Sequence, residues 1–394
     1  MSKENKLIPE LRFPEFVNQT EWAKKELDEI AFSESSSMAL NKLDLKSSGY
    51  PVYGADSIVG YIDYFQQSEK YISIVKDGSG VGRLNLCQSH SSILGTLTRL
   101  ISKDGELYEL DWVYYLLNTI DFSIHVKGAG IPHIYFSDFK KENVPVPTLP
   151  EQQKIASCLS SLDEVIAAHS QKLELLKNHK KGLMQNLFPQ EGEAVPKFRF
   201  KEFEKDGEWV EKKLDEVCEI NPKVLQLPEQ FVYIDLESVE KGILLQRKIM
   251  KSKGAPSRAQ RLLKENDVIF QMVRPYQNNN FHFLGGDDLK YVASTGYAQL
   301  RAFHSSKYLY QFIHTSKFVA NVLEKCTGSN YPAINSSDLS QIAIQLPSTP
   351  KEQQKIAECL SSVDALITAQ TEKIEQLKLH KKGLMQGLFP LINH

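Results

Sequence analysis

Between Glu151 and Pro189 apolar positions recur at alternating steps of four and three: Ile155, Leu159, Leu162, Ile166, Leu173, Leu176, Leu183 and Leu187, with His169 and Lys180 filling two further steps. The stripe returns between Glu352 and Pro390 as Ile356, Leu360, Val363, Ile367, Ile374, Leu377, Leu384 and Leu388, with Gln370 and Lys381 in the matching polar steps. A two-in-seven stripe sustained for about five heptads predicts a coiled-coil helix, because a helix lying on a globular core carries a broader apolar face. At 1.5 Å per residue each helix is roughly 55–60 Å long. Pro150 and Pro350 are expected just ahead of the starts, and Pro189 and Pro390 at the stops. The two helices are expected to pair antiparallel, which would bring His169 and Gln370 close together. Such a pair either fixes register or is a polar residue tolerated near solvent.

The two stretches are copies, offset by 201 residues and identical at 27 of 39 positions. A weaker repeat opens each half: P-x-LRFPEF, then EW and LDEI over Pro9–Ile30, against P-x-FRFKEF, EW and LDEV over Pro196–Val217. A third match, Gly128–Pro147 against Gly328–Pro347, closes each intervening region. The organisation read from this is 1–150, a first globular domain holding one variable region; 151–189, the first repeated helix; 190–350, a second globular domain holding the other variable region; and 351–394, the second repeated helix. Within the variable regions Tyr71–Val75, Ser92–Leu100 and Tyr291–Leu300 read as strands, and Trp112–Leu117 and Tyr308–Ile313 as short helices with core aromatics. The fold class is therefore α+β: two globular, mixed α/β domains separated by a long antiparallel two-helix coiled coil, with a pseudo-twofold internal repeat.

Composition narrows the function. With 47 Lys+Arg against 49 Asp+Glu the net charge is −2, so any nucleic-acid surface is local. No stretch approaches 18 consecutive apolar residues, the first residues hold no apolar signal core, and five unpaired cysteines fit a reducing, cytoplasmic setting. There is no GxSxG, HExxH, Walker A, zinc-ligand spacing or amino-methyltransferase NPPF-like motif, so no catalytic, metal or cofactor residue is assigned.

Charge separates the two variable regions. Residues 20–147 balance at −5 and residues 207–347 at +2. The segment Gln246–Lys264 is rich in Lys and Arg and holds no acid, and Gln271–His282 adds Arg, Asn, Gln and aromatics. Amide side chains match adenine edges and Arg matches guanine or phosphate. Lys251, Lys253, Arg258, Arg261, Arg274, Tyr276, Gln277, Asn278 and Asn279 are the DNA-binding candidates there. In the first region the candidates are Lys76, Ser79 and Arg83 of the KDGSGVGR turn, which departs from both dinucleotide and phosphate-loop fingerprints. The matched loops add Lys127, His133 and Tyr135, and Asn330 and Tyr331.

Two variable regions, each followed by a near-identical helix opening EQQKIA and closing KKGLMQxLFP and preceded by the RF-x-EF…EW…L entry, resemble the specificity subunit of type I restriction–modification systems. The resemblance spans essentially the whole chain. It implies that each variable region is a target recognition domain reading half of a split, asymmetric site in double-stranded DNA. It also implies that the paired helices set the gap and help dock two modification subunits, which bind S-adenosylmethionine and methylate adenine N6. Restriction subunits, using ATP and Mg, complete such a complex, and the specificity chain itself holds no cofactor. The alternatives are a decayed or non-DNA-reading assembly scaffold and, from the KDGSGVGR turn, a nucleotide-using enzyme.

Overall fold

In the computed structural model, residues 7–328 and 330–390 are described. They divide into two compact units: residues 7–171 with 372–390, and residues 172–371. Each long helix therefore contributes its first part to one unit and its last part to the other. The helices span Leu149–Leu187 and Pro350–Leu388. Both prolines expected ahead of the starts instead sit in the first turn, where a missing N–H costs nothing because those donors have no helical acceptor.

The first unit carries a four-stranded antiparallel sheet in the order Ala31–Ser35, Leu97–Ser102, Tyr71–Val75, Leu84–Cys87. A second, three-stranded sheet runs Ile58–Ile62, Tyr50–Tyr53, Ser92–Ile93, its last pair parallel. The second unit repeats this plan with Cys218–Ile220, Tyr297–Ala302, Val268–Gln271 and Phe281–His282, all antiparallel. Its other sheet is Lys248–Lys251, Gln230–Ile234, Tyr291–Ser294, Ala259–Leu262, again with one parallel pair. The variable regions thus share one fold despite their different sequences.

The segments 92–100 and 291–300, each expected as one strand, are each two strands belonging to different sheets. Glycine makes the corner. A Cβ on Gly95 would sit 3.3 Å from the Met38 and Ser36 carbonyls, and one on Gly296 would sit 3.1 Å from Leu236. The two short helices form as Leu110–Leu117 and Ser306–Phe312, capped by the Glu109 and Ser305 side chains, and Trp112, Tyr115, Tyr308 and Phe312 are buried.

The long helices are antiparallel within each unit. In the first, Ile155 and Leu159 pack in one core with Leu384, Met385, Leu388 and Phe389. In the second, Ile356 and Leu360 do so with Leu183, Met184, Leu187 and Phe188. The remaining seam positions Leu162, Ile166, Leu173, Leu176, Val363, Ile367, Ile374 and Leu377 are all buried or half-buried. Lys381 bonds Asp163 at 2.6 Å in the first unit, and Lys180 bonds Asp364 at 2.6 Å in the second. His169 and Gln370 stand beside the points where the helices pass from unit to unit.

The repeated motifs now acquire a physical reason. Arg12 of the entry motif grips Glu151 of EQQ through two bonds of 2.8 Å, and Arg199 grips Glu352 through two more of 2.8 Å. Both carboxylates are 1% exposed, and each raises the pKa of its arginine through these bonds. The tryptophan of each EW meets the phenylalanine of an LFP edge-on, Trp22 with Phe389 and Trp209 with Phe188, at 6.2 and 6.3 Å. Each entry segment thus clamps the start of one helix and the end of the other.

Candidate nucleic-acid interface

In each unit two loops that are distant in sequence meet at the end of the central strand of the four-stranded sheet. In the first unit the Gly78 N–H donates to the Pro132 carbonyl at 2.9 Å, and the Ile134 N–H donates to Lys76 at 2.9 Å. In the second the Arg274 N–H donates to Pro332 at 2.7 Å, and Ile334 donates to Met272 at 3.1 Å. Isolated bridges complete the match: Asp77 and Lys127 with His133, and Val273 and Thr327 with Ala333. One backbone frame is therefore built twice and dressed with different side chains.

In the first unit the frame carries Lys76, Ser79, Lys127, His133 and Tyr135, so the two candidate loops form one site. Ile131 (70% exposed) and Tyr135 (47% exposed) stand at its surface, and the His133 and Tyr135 rings lie 5.4 Å apart. Two of its cations are committed. Lys127 bonds Asp138 at 2.6 Å and holds that carboxyl below its usual range, and Arg83 is paired with Asp56. That leaves Lys76 as the loop cation without an ion pair among the described residues, in keeping with the acidic balance of this region.

In the second unit Arg274, Tyr276, Gln277, Asn278, Asn279, Asn330 and Tyr331 gather on the same frame. Arg274 and Asn278 both adopt the left-handed region, at φ 54°, and bracket the short turn Pro275–Gln277. This conformation costs a non-glycine residue about 1–2 kcal/mol, and a residue preceding proline normally stays extended. A buried amide network holds the loop in place. Gln271 receives the Asn279 N–H at 3.1 Å and bonds Gln277 at 2.8 Å, while Asn280 receives the Gln271 N–H at 2.8 Å. The Arg274 guanidinium lies 4.3 Å from the Tyr331 ring centroid, and its Nε is buried without a hydrogen-bond partner.

The long basic run behaves differently from its sequence reading. Lys251 and Arg261 lie on the two opposite edge strands of the second sheet. Lys248 is bonded to Asp235 at 2.7 Å and Arg247 to Asp287 at 2.9 Å. Burial lowers the pKa of Arg261, whose Nε is also unpartnered. Lys251, Lys253 and Arg258 are exposed. The run is thus two separate basic edges, because intervening residues cross the sheet.

Sequence reasoning missed the support beneath the second loop. His314 donates from Nδ1 to the Tyr310 carbonyl at 2.6 Å and faces Asn280 at 3.3 Å, and His282 stacks on Tyr310. Burial drives both imidazoles down to about 4, helped at His282 by Lys307. Both stay neutral when folded, whereas the unfolded chain takes up protons below about pH 6.5. Their contribution is intact above that pH and is lost as pH falls toward 4. Between pH 7.5 and 5 the second unit should lose about 2 kcal/mol per histidine. Urea unfolding at the two pH values tests this, and a pH dependence identical in His314→Gln would contradict it.

Residues 19–178 and 206–379 both match the family model described as "Type I restriction modification DNA specificity domain". The specificity subunit of the type I restriction enzyme MjaVIII of Methanocaldococcus jannaschii is 28% identical over 344 residues, covering 82% of this chain and 78% of that one. The putative MjaX specificity subunit of the same organism is 24% identical over 407 residues, covering 93% and 92%. Among solved structures, the type I S subunit from M. genitalium aligns over 98% of this chain and 100% of its own with a TM-score of 0.68 at 18% identity, a likeness of fold. The chain belongs to the type I restriction–modification DNA specificity family. Within it, the chain is a specificity subunit, a non-catalytic component concerned with recognition of DNA sequence.

Proposed function

We propose that each unit reads one half of a bipartite, asymmetric DNA site, and that the helix pair sets the number of unread base pairs between the halves. The observation that carries this reading is the duplicated loop frame. Two identical supports carrying unlike side chains suit two unlike half-sites, where identical readers would suit a palindrome. The KDGSGVGR turn serves as half of that frame, which favours a DNA-facing role for it over a nucleotide-using one.

We further propose that two modification subunits, adenine N6-methyltransferases binding S-adenosylmethionine, dock on equivalent grooves at the helix ends. Lys378, Lys381 and Lys382 line one in the first unit, and Lys177, Lys180 and Lys181 line its counterpart in the second. Restriction subunits using ATP and Mg would join the same complex in the cytoplasm. Among the described residues no helix is long and apolar enough to cross a membrane.

The test is genome-wide N6-methyladenine mapping in cells carrying this chain with a cognate modification subunit. One split motif, methylated on both strands and absent without this chain, is expected. An assembled complex that adds no methylation would favour the scaffold reading.

A further inference from the structure

The equivalence of Gly78 and Arg274 isolates one side chain. Both N–H groups donate to the matching proline carbonyl, and both residues have positive φ, 88° and 54°. Glycine adopts this geometry without strain, and arginine does not. No atom lies within 4 Å of a Cβ built on Gly78, so in the first unit this position opens onto free space. The second unit thus keeps a strained arginine where the fold accepts glycine, a pattern that accompanies function.

The surroundings say what the arginine is for. Arg199, Arg247 and Arg301 each pair with a carboxylate, whereas Arg274, like Arg258 and Arg261, is in no ion pair among the described residues. It lies against Tyr331, which is 65% exposed, with its Nε buried and unpartnered. Pro275 and the Gln271–Gln277 and Gln271–Asn279 bonds fix the loop beneath it. A flat cation stacked on an aromatic ring with its fork uncommitted matches the paired acceptors O6 and N7 of guanine.

Resting on the specificity-subunit reading above, we propose that Arg274, held on Tyr331, reads a guanine in the half-site of the second unit, and that the first unit has no counterpart to it at Gly78. The experiment maps N6-methyladenine for the wild-type chain, Arg274→Gly and Arg274→Lys, each in complex with the modification subunit. Arg274→Gly restores the residue of the sister unit, so its melting temperature should stay within about a few degrees of wild type. One G·C position in one half-site should become degenerate, discrimination there falling on the order of ten- to a hundredfold. The other half-site and the gap should be unchanged. Arg274→Lys keeps the charge without the planar fork and should still favour the same letter, with discrimination between wild type and Arg274→Gly. Weaker methylation with every letter retained in Arg274→Gly would make Arg274 a phosphate contact and overturn the proposal, as would an unaltered motif in that variant. A wild-type chain that directs no split motif would refute the parent reading instead.

Discussion

Seven residues added to each long helix, after Gln171 and after Thr371, should lengthen the unread gap of the target by about three base pairs and leave the letters of both half-sites unchanged. The insertion adds about 10.5 Å of helix, and stacked base pairs rise about 3.4 Å each. Adding the same heptad to both helices preserves the facing of the seam, because seven residues make nearly two full turns with a drift of only about 20°. The duplex is less accommodating. Three added base pairs rotate the far half-site by about 100°, so methylation at the new motif should be weaker as well as displaced. The insertion points lie outside both cores, so each unit should melt as before. Methylation mapping reads the result directly, and a variant that still modifies the original motif would show that the helices do not set the gap.

Replacing Glu352 by alanine should destabilise the second unit by about 3–5 kcal/mol, one of the largest losses available to a single substitution in this chain. The reason lies in what is left behind. Arg199 is 9% exposed at its side chain and would keep its charge with no bonded carboxylate, only the longer-range attraction of Asp206. Glu151→Ala should do the same to the first unit through Arg12, which is 7% exposed. Hydrogen exchange resolved along the chain distinguishes the two. Glu352→Ala should release protection within 172–371, and Glu151→Ala within the other unit. Substituting both members of a pair by apolar residues should recover much of the loss, and a double variant as unstable as the single one would argue against an ion-pair origin.

The legibility of this chain follows the distance over which each feature is determined. The heptad stripe is local, and its 4-3 spacing gave both helices to within a few residues. The entry motifs were visible as repeats, but their meaning was not. Arg12 and Glu151 are 139 residues apart, and nothing in either motif announces the other. The same distance effect divided the candidate site. Lys76 and Ile134 are joined by one backbone hydrogen bond, and the sequence could only offer their loops as two separate weak signals. Charge counting overstated the basic run for a related reason. Asp287 and Asp235 neutralise Arg247 and Lys248 from loops elsewhere in the sequence, and the sheet parts Lys251 from Arg261. Least visible was the left-handed Arg274, since a residue before proline is expected to be extended.

The interleaving of the helices also bears on the order in which the chain becomes whole. The second unit is continuous in sequence, from 172 to 371, whereas the first must wait for residues 372–390. Domains generally fold as the ribosome releases them, beginning with the earliest made. Here the domain begun first is finished last. Trp22, Ile155 and Leu159 stay without their cover until Leu388 and Phe389 are synthesised. A ribosome that stops short of those residues would leave a complete second unit and an unsealed first one. A chain lacking residues 372–390 thus holds every residue of the second unit and cannot complete the first, although the first was begun earlier.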